Sequence, residues 1–155
     1  MKKILVIDGQ GGKLGRLVIE QLTTSANSAA SSGSELPFEI TAIGTNSIAT
    51  ATMLKAGADN GATGENPVVV NCRDADIVIG PIGIIAADAL HGEVTATMAT
   101  AIGACRAHKI LLPVSRCRIS VIGVTHMPAA ELVNMAVTRA FLLIGDNKNG
   151  KKNYP

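Results

Sequence analysis

Short aliphatic runs alternate with helix-like patterns along this chain, beginning at its first residues. The run from Lys3 to Ile7 is almost wholly aliphatic and ends at Asp8-Gly9, which is typical of a parallel strand buried on both faces. The next segment repeats apolar residues at the spacing of one helix face, namely Leu14, Leu17, Val18 and Leu22. The pattern therefore predicts a strand, a glycine turn and an amphipathic helix packed on a sheet.

Strand and helix patterns continue to alternate as far as residue 145. Further strands are predicted over 38–43, 68–72 and 76–79, and further helices over about 48–56, about 95–106 and about 128–145. Two connections, 23–34 and 57–67, contain mostly small and polar residues and are predicted as loops.

Two aliphatic runs, 110–114 and 119–124, are separated by a short polar segment. Because a parallel crossover needs about a dozen residues, they predict an antiparallel hairpin at an edge of the sheet. The order of all elements predicts an α/β, Rossmann-like three-layer αβα fold with a mostly parallel sheet of about five to six strands. We interpret 1–145 as a single domain and the lysine- and asparagine-rich segment 146–155 as a disordered tail.

The composition excludes several classes of protein. Hydrophobic residues make up 47% of the chain, yet it has two Phe, one Tyr and no Trp, so its core must be aliphatic. The net charge of +2 and the lack of aromatic stacking residues argue against nucleic acid as a partner. No apolar run reaches the roughly 18 residues of a membrane span. Three cysteines without a CxxC pair favour a reducing, cytoplasmic location.

The strongest candidate for binding chemistry is the junction of the first strand and the first helix. Its residues are Gly9, Gln10, Gly11, Gly12, Lys13, Leu14 and Gly15. Glycines there permit a tight turn and let backbone N–H groups approach a phosphate at the positive end of the helix. The spacing G-x-G-x-x-x-G is one residue longer than the dinucleotide fingerprint. The loop indicates a phosphate cradle, and close helix–strand packing is the alternative.

The ends of two later strands are expected to face the same ligand. NAD recognition normally adds an acidic residue after the second strand, but here Thr45, Asn46 and Ser47 follow it, and these polar groups suit a 2′-phosphate or another ligand. The segment 75–83 resembles the fourth-strand loop of nicotinamide-dependent dehydrogenases. Since the carboxyl ends of parallel strands converge, we expect the cofactor contacts to include Gly80, Pro81, Ile82 and Gly83.

Other polar residues suggest chemistry less strongly. Glu65 and Asn66 offer a carboxylate and an amide to a substrate, but their Gly- and Pro-rich surroundings favour an ordinary surface turn. Asp88, His91 and Glu93 offer an acid–base or metal site, but their spacing matches no zinc pattern and favours solvated loop residues.

Cys117 lies between two arginines, whose charge would favour a nucleophilic thiolate. No histidine lies near it in sequence, so a non-catalytic cysteine is favoured. The chain also lacks a Tyr-x-x-x-Lys pair of the short-chain reductase type, because its one tyrosine, Tyr154, lies in the predicted tail.

Several short motifs resemble those of a known family. They are Ile-Asp-Gly-Gln-Gly-Gly at 7–12, Gly-Thr-Asn-Ser-Ile-Ala-Thr at 44–50, Met-Leu-Lys-Ala-Gly-Ala at 53–58 and Gly-Ala-Thr-Gly-Glu-Asn at 61–66. The chain resembles an uncharacterised family of short bacterial proteins, a domain of unknown function, over nearly its whole length. The resemblance implies a real family and no particular reaction.

These observations lead to competing hypotheses about function. The first is a nucleotide-binding protein whose small-molecule ligand carries phosphate, NAD(P) being the first candidate cofactor. If it is an enzyme, an NAD(P)-dependent oxidoreductase is the first expectation. The alternative is a non-catalytic ligand-sensing module or a partner-binding and assembly module. The high aliphatic content also leads us to expect a homo-oligomer.

Overall fold

The strands form a single parallel sheet in the computed structural model, which describes residues 1–33, 37–114 and 118–146. The strands are β1 (Lys2–Asp8), β2 (Phe38–Gly44), β3 (Asn60–Thr63), β4 (Ile77–Pro81) and β5 (His108–Leu112). Their order across the sheet is β3-β2-β1-β4-β5, and every neighbouring pair is parallel. This order reverses direction at β1 and β4, so those two strands form the topological switch point of the sheet.

Helices cover both faces of this sheet. They are α1 (Lys13–Ser31), α2 (Ser47–Lys55), α3 (Glu65–Asn71), α4 (Ala96–Ala104) and α5 (Ala129–Asp146), and a short 3-10 helix (Ile82–Ile85) follows β4. Helices α1, α2 and α5 share one hydrophobic cluster with the sheet, and α3 and α4 share a second cluster with its other face. The predicted Rossmann-like three-layer αβα fold is confirmed.

Alternate residues of β1 show how the two clusters are built. Ile4 and Val6 lie in the cluster with α1, α2 and α5, whereas Leu5 and Ile7 lie in the cluster with α3 and α4. All four side chains are buried. A strand that is apolar at every position can be buried on both faces, which explains the continuous aliphatic run in the sequence.

The predicted loop over 23–34 is wrong as far as Ser31, because α1 extends through it. Its polar side chains bond to carbonyl groups one turn earlier, as Thr23 does to Ile19 at 2.9 Å and Ser31 does to Asn27 at 2.9 Å. Such bonds satisfy hydroxyl groups inside a helix. A polar composition therefore did not prevent the helix from continuing.

The predictions over 57–72 are also partly wrong. Residues 65–71 form α3 and not a strand over 68–72, because Gly64 begins the helix with φ 100 and only Val68 of the valine run is buried. The strand β3 lies within the predicted loop 57–67 and pairs with β2 through its backbone. Similarly, Gly80 and Pro81 complete β4 instead of forming a loop.

The predicted hairpin over 110–124 is wrong. Strand β5 pairs with β4 in the parallel direction, and 118–124 contains no strand. Val121, Ile122 and Val124 are solvent-exposed, with Ile122 94% exposed, and Ile119 is half-buried. An aliphatic run was therefore an insufficient signal for a strand here.

None of the helices in the described ranges combines the length and apolar character that a membrane crossing requires. Most of the predicted tail, 147–155, lies outside the described residues.

Candidate functional site

A cavity of about 830 Å³ opens at the carboxyl ends of the central strands. One side is the glycine loop between β1 and α1, from Gly9 to Leu14. The opposite side consists of the end of β4, the residues after β5, and the segment 125–129 that leads into α5. Ligand pockets typically have volumes of about 300–1,000 Å³, so this cavity has the size of a ligand site and lies at the switch point, where open α/β sheets bind their ligands.

The glycine loop has the geometry that its sequence predicts. Gly12 has φ 67, and its N–H donates to the carbonyl of Gly9 at 2.9 Å. A Cβ on Gly12 would lie 2.8 Å from the backbone of Ala49 in α2, so this position requires glycine for both conformation and space. Gly11 is exposed in the cavity wall, and within the described ranges its N–H has no acceptor. The loop thus presents an unpaired donor beside the first turn of α1.

Asp8, the last residue of β1, holds the loop against α1. Its Oδ1 accepts the N–H of Gly9 at 2.8 Å, and its Oδ2 accepts the N–H of Gly15 at 2.8 Å. Burial raises the pKa of this carboxyl, the N–H groups of Gly15, Gly9 and Leu14 oppose that increase, and the charge of Glu93 adds to it. The Asp8 carboxyl therefore braces the loop even though its burial disfavours the charged form.

A second carboxylate reaches the same loop from the connection after β4. Oε2 of Glu93 accepts the N–H of Gln10 at 2.6 Å and the hydroxyl of Thr45 at 2.6 Å, and Oε1 accepts the amide of Asn46 at 3.2 Å. Burial tends to raise the pKa of Glu93, but the hydrogen bonds from Thr45, Gln10 and Asn46 outweigh it and hold that pKa below its ordinary value. Glu93 is therefore a charged group at the end of β2.

Glu93 and Asn46 together hold Gln10 in an unusual conformation. Gln10 has φ 50, a left-handed geometry that is uncommon for a residue other than glycine. Its N–H is bound by Glu93, and its carbonyl accepts from the amide of Asn46 at 2.9 Å. Oδ1 of Asn46 meanwhile accepts the N–H of Ala49 at 2.9 Å and so caps α2. One amide side chain thus joins the glycine loop to the start of α2.

The segment that carries Glu93 is itself strained. Asp88, Leu90 and His91 all have φ between 55 and 63. Such left-handed residues cost roughly 1–3 kcal/mol each and persist only where the surrounding structure holds them. Leu90 is buried, lines the cavity and packs against Gly9. Contacts at the glycine loop therefore hold this segment over the end of β1.

The cavity contains some, but not all, of the residues predicted as cofactor contacts. Its lining includes Gly9, Gln10, Gly11, Gly12, Lys13, Leu14, Pro81 and Gly83. Gly15 packs against Met53, and Gly80 packs against the carbonyl of Ile7. Thr45, Asn46 and Ser47 lie after β2 on the other side of the loop, and neither they nor Ile82 line the cavity.

The other candidate residues do not form a single site. Glu65 accepts a hydrogen bond from Thr95 at 2.5 Å and so links α3 to the start of α4, where a surface turn was predicted. Asp88 and His91 are exposed, and the described ranges hold no group of three metal-ligating side chains. Cys117 lies outside the described residues.

Sequence reasoning missed two titratable residues that line the cavity, Asp8 and His126. Asp8 could have been found, because a carboxylate that ends β1 directly before the glycine loop must lie beside it. His126 gave no comparable signal, since its segment was interpreted as the connection between a hairpin and the last helix. Lys13 and His126 are the basic side chains in the described cavity lining.

Comparison with known protein families identifies the family of this chain. A family described as a domain of unknown function, DUF3842, matches residues 3–143. No curated protein and no solved structure matches the chain. The matched range contains β2 to β5, all of β1 except Lys2 and the whole of the glycine loop, and on this basis the chain belongs to the DUF3842 family, a domain of unknown function.

Proposed function

We propose that this protein binds a nucleotide, with NAD(P) as the first candidate, in the cavity at the ends of β1 and β4. The observation that carries the proposal is the position of the 830 Å³ cavity directly against the glycine loop at the switch point of the sheet. Nucleotide sites of open α/β sheets occur at this position for a physical reason. The first βα turn presents N–H groups and the positive end of a helix to phosphate.

The lining of the cavity suits a ligand with one charged end and one apolar end. The exposed Gly11, with its unpaired N–H, and the ammonium group of Lys13 lie at the loop. Leu17, Met127 and Leu132 provide an apolar surface farther along the wall. We expect the phosphate to contact the loop and a flat ring to pack against these side chains, as ligand pockets commonly combine apolar walls with few polar groups.

Ligand-dependent thermal unfolding tests this proposal. NAD⁺, NADPH, FMN and ATP are added to the protein, and a ligand at about 100 times its Kd should stabilise it by about 2.7 kcal/mol. Gly11→Asp places a carboxylate at the phosphate position, and the open space around Gly11, where the nearest atom to a built Cβ is 3.8 Å away, lets the variant fold. The variant should lose the stabilisation.

A matched pair of variants tests the cavity itself. Ala129 lines the cavity, whereas the neighbouring Ala130 is exposed and does not. Ala129→Trp should block binding, and Ala130→Trp should leave it intact. If no nucleotide stabilises the protein, or if both tryptophan variants bind equally well, the proposal is wrong.

Catalysis is a separate question that the same cavity raises. An oxidoreductase would need an acid or base near the transferred hydride, and Asp8 and His126 are the titratable side chains in the described lining that suit this role. Consumption of a reduced cofactor at 340 nm, measured with panels of aldehydes and ketones, would identify an enzyme. Ligand-dependent stabilisation without turnover would support the ligand-sensing alternative.

A second candidate, self-association, is favoured by the exposed segment before α5. Val121, Ile122 and Val124 are 41%, 94% and 46% exposed, so these side chains pack poorly within one chain. Two copies could bury them against each other. Light scattering should show an oligomer that Ile122→Ser weakens, whereas Ile48→Ser, at another exposed isoleucine on α2, should not. A monomeric wild-type protein would eliminate this candidate.

A further inference from the structure

The end of β2 lacks an acidic residue in sequence, but the fold places one there. Thr45 and Asn46 directly follow β2, and both donate hydrogen bonds to the carboxylate of Glu93. Glu93 also accepts the N–H of Gln10 at 2.6 Å, so it lies between the glycine loop and the end of β2. In dinucleotide sites this is the place where a carboxylate binds the hydroxyl groups of the adenosine ribose.

The position of the cavity indicates how a dinucleotide would cross the loop. The cavity lies on the side of the loop that faces β4, β5 and α5, and Glu93 lies on the side that faces β2. A pyrophosphate at Gly11 and Lys13 would direct one nucleoside into the cavity and the other towards β2. The second nucleoside would then lie on the side of the loop where Glu93 is held by Gln10, Thr45 and Asn46.

Glu93 still has hydrogen-bonding capacity for such a nucleoside. Its Oε2 already accepts two short bonds of 2.6 Å, but its Oε1 accepts one longer bond of 3.2 Å from Asn46. A carboxylate oxygen can accept two hydrogen bonds. Oε1 can therefore accept a ribose hydroxyl without losing the contacts that hold Glu93 in place.

The charges around Glu93 oppose a phosphate on that ribose. The residues from Thr45 to Thr50, which connect β2 to α2 and form the first turn of α2, include no lysine or arginine. The charge of the exposed His91 helps to hold Glu93 ionised, but this turn offers a 2′-phosphate no lysine or arginine. A 2′-phosphate would therefore approach the Glu93 carboxylate directly, and like charges brought together at an interface strongly reduce affinity. The amide and hydroxyl groups that suggested a 2′-phosphate site in the sequence instead bind Glu93.

We propose that Glu93 selects a dinucleotide with a free 2′-hydroxyl on its adenosine ribose, so that the protein binds NAD(H) and excludes NADP(H). This inference rests on the proposed nucleotide-binding function. Glu93 acts as a specificity residue, because it contacts the part of the ligand that differs between the two dinucleotides.

Calorimetric titration of the full chain with NAD⁺ and NADP⁺ tests the inference. The wild-type protein should bind NAD⁺ at least about tenfold more tightly, which corresponds to about 1.4 kcal/mol. Glu93→Gln keeps the shape of the side chain and removes its charge, so the preference should fall to within about threefold. Glu39→Gln removes one charge near the amino end of β2, which is the end of the strand away from Glu93. This control variant should keep the wild-type preference.

Each result has a definite meaning. Equal or tighter binding of NADP⁺ to the wild-type protein would overturn the inference while leaving nucleotide binding intact. An equal gain in affinity for both dinucleotides in Glu93→Gln would also overturn it, because Glu93 would then be a plug that the ligand displaces. If neither dinucleotide binds the wild-type protein or either variant, the inference falls together with NAD(P) binding. Should Glu93→Gln fail to fold, the wild-type preference measured at low and high salt decides the question.

Discussion

The hydroxyl of Thr45 donates a 2.6 Å hydrogen bond to the carboxylate of Glu93, although 48 residues separate them in the chain. The contact joins the end of β2 to the connection after β4, beside the loop that follows β1. Three chain segments that share no local sequence pattern therefore meet at one carboxylate.

Glycine is required at position 9 by the side chains that meet there. A Cβ on Gly9 would lie 2.5 Å from Oε2 of Glu93 and 2.6 Å from Oγ1 of Thr45. Gly9→Ala should lower the free energy of unfolding by about 1–3 kcal/mol, because overpacking forces neighbours apart. Urea denaturation measures the change. Gly11→Ala, with no atom closer than 3.8 Å to the built Cβ, should change stability by less than about 0.5 kcal/mol; equal losses in the two variants would contradict the described geometry.

Asp8 should contribute to stability through the two N–H groups that it accepts. Asp8→Ala leaves the N–H groups of Gly9 and Gly15 without this acceptor. Since each unsatisfied buried donor costs about 1–3 kcal/mol, we expect a loss of at least about 1 kcal/mol in chemical denaturation. Asp74→Ala, which removes an exposed ion pair with Lys3, serves as the control and should cost clearly less than Asp8→Ala, because solvent screens exposed ion pairs. If Asp74→Ala lowered stability as much as Asp8→Ala, the hydrogen bonds from Asp8 to the loop would not explain the loss.

The Glu93 carboxylate should make stability depend on pH. Its pKa in the folded protein lies below its ordinary value of 4.5. Its contribution is therefore fully present above that value and is lost as the pH falls through the folded-state pKa. Glu93→Gln should be less stable than the wild-type protein near pH 7, and the difference should shrink as the pH falls below 4.5.

Urea unfolding of both proteins across this pH range measures the difference. Asp76, whose pKa is also lowered, titrates in both proteins and cancels in the comparison. The charge of Glu93 raises the pKa of Asp8, so its removal eases the ionisation of Asp8 and offsets part of the loss at neutral pH. A difference that grows as the pH falls would contradict this prediction.

Cys72 should be chemically protected in the folded protein. Its side chain is buried between α3 and the sheet, and burial, followed by its contact with Cys105, raises the pKa of its thiol to about 12. Because the thiolate is the reactive form, alkylation near pH 8 should leave Cys72 unmodified in the native protein. Peptide mapping by mass spectrometry checks this outcome. The same reagent should label Cys72 fully in denaturant, and rapid native labelling would refute the described burial.

Much of the fold could be predicted because its signals are local. The aliphatic run that forms β1, the glycines after it and the apolar face of α1 are adjacent in the chain. Each can be recognised from the pattern of apolar, polar and glycine residues within a short segment. The elements that were missed depend on contacts elsewhere. The strand β3 exists because its backbone pairs with β2, and α3 exists although its valines favour a strand.

The sequence by itself determined the αβα class, the loop between β1 and α1, and the aliphatic core, since backbone conformation and hydrophobic period are properties of neighbouring residues. Only the tertiary structure decided which polar groups share a site. In the folded chain, Thr45 and Asn46 lie outside the cavity and contact Glu93, whereas His126 lies in the cavity wall. The reason is that the crossover between β3 and β4 reverses the sheet order, so residues far apart in sequence meet at the switch point, and no local pattern encodes that meeting.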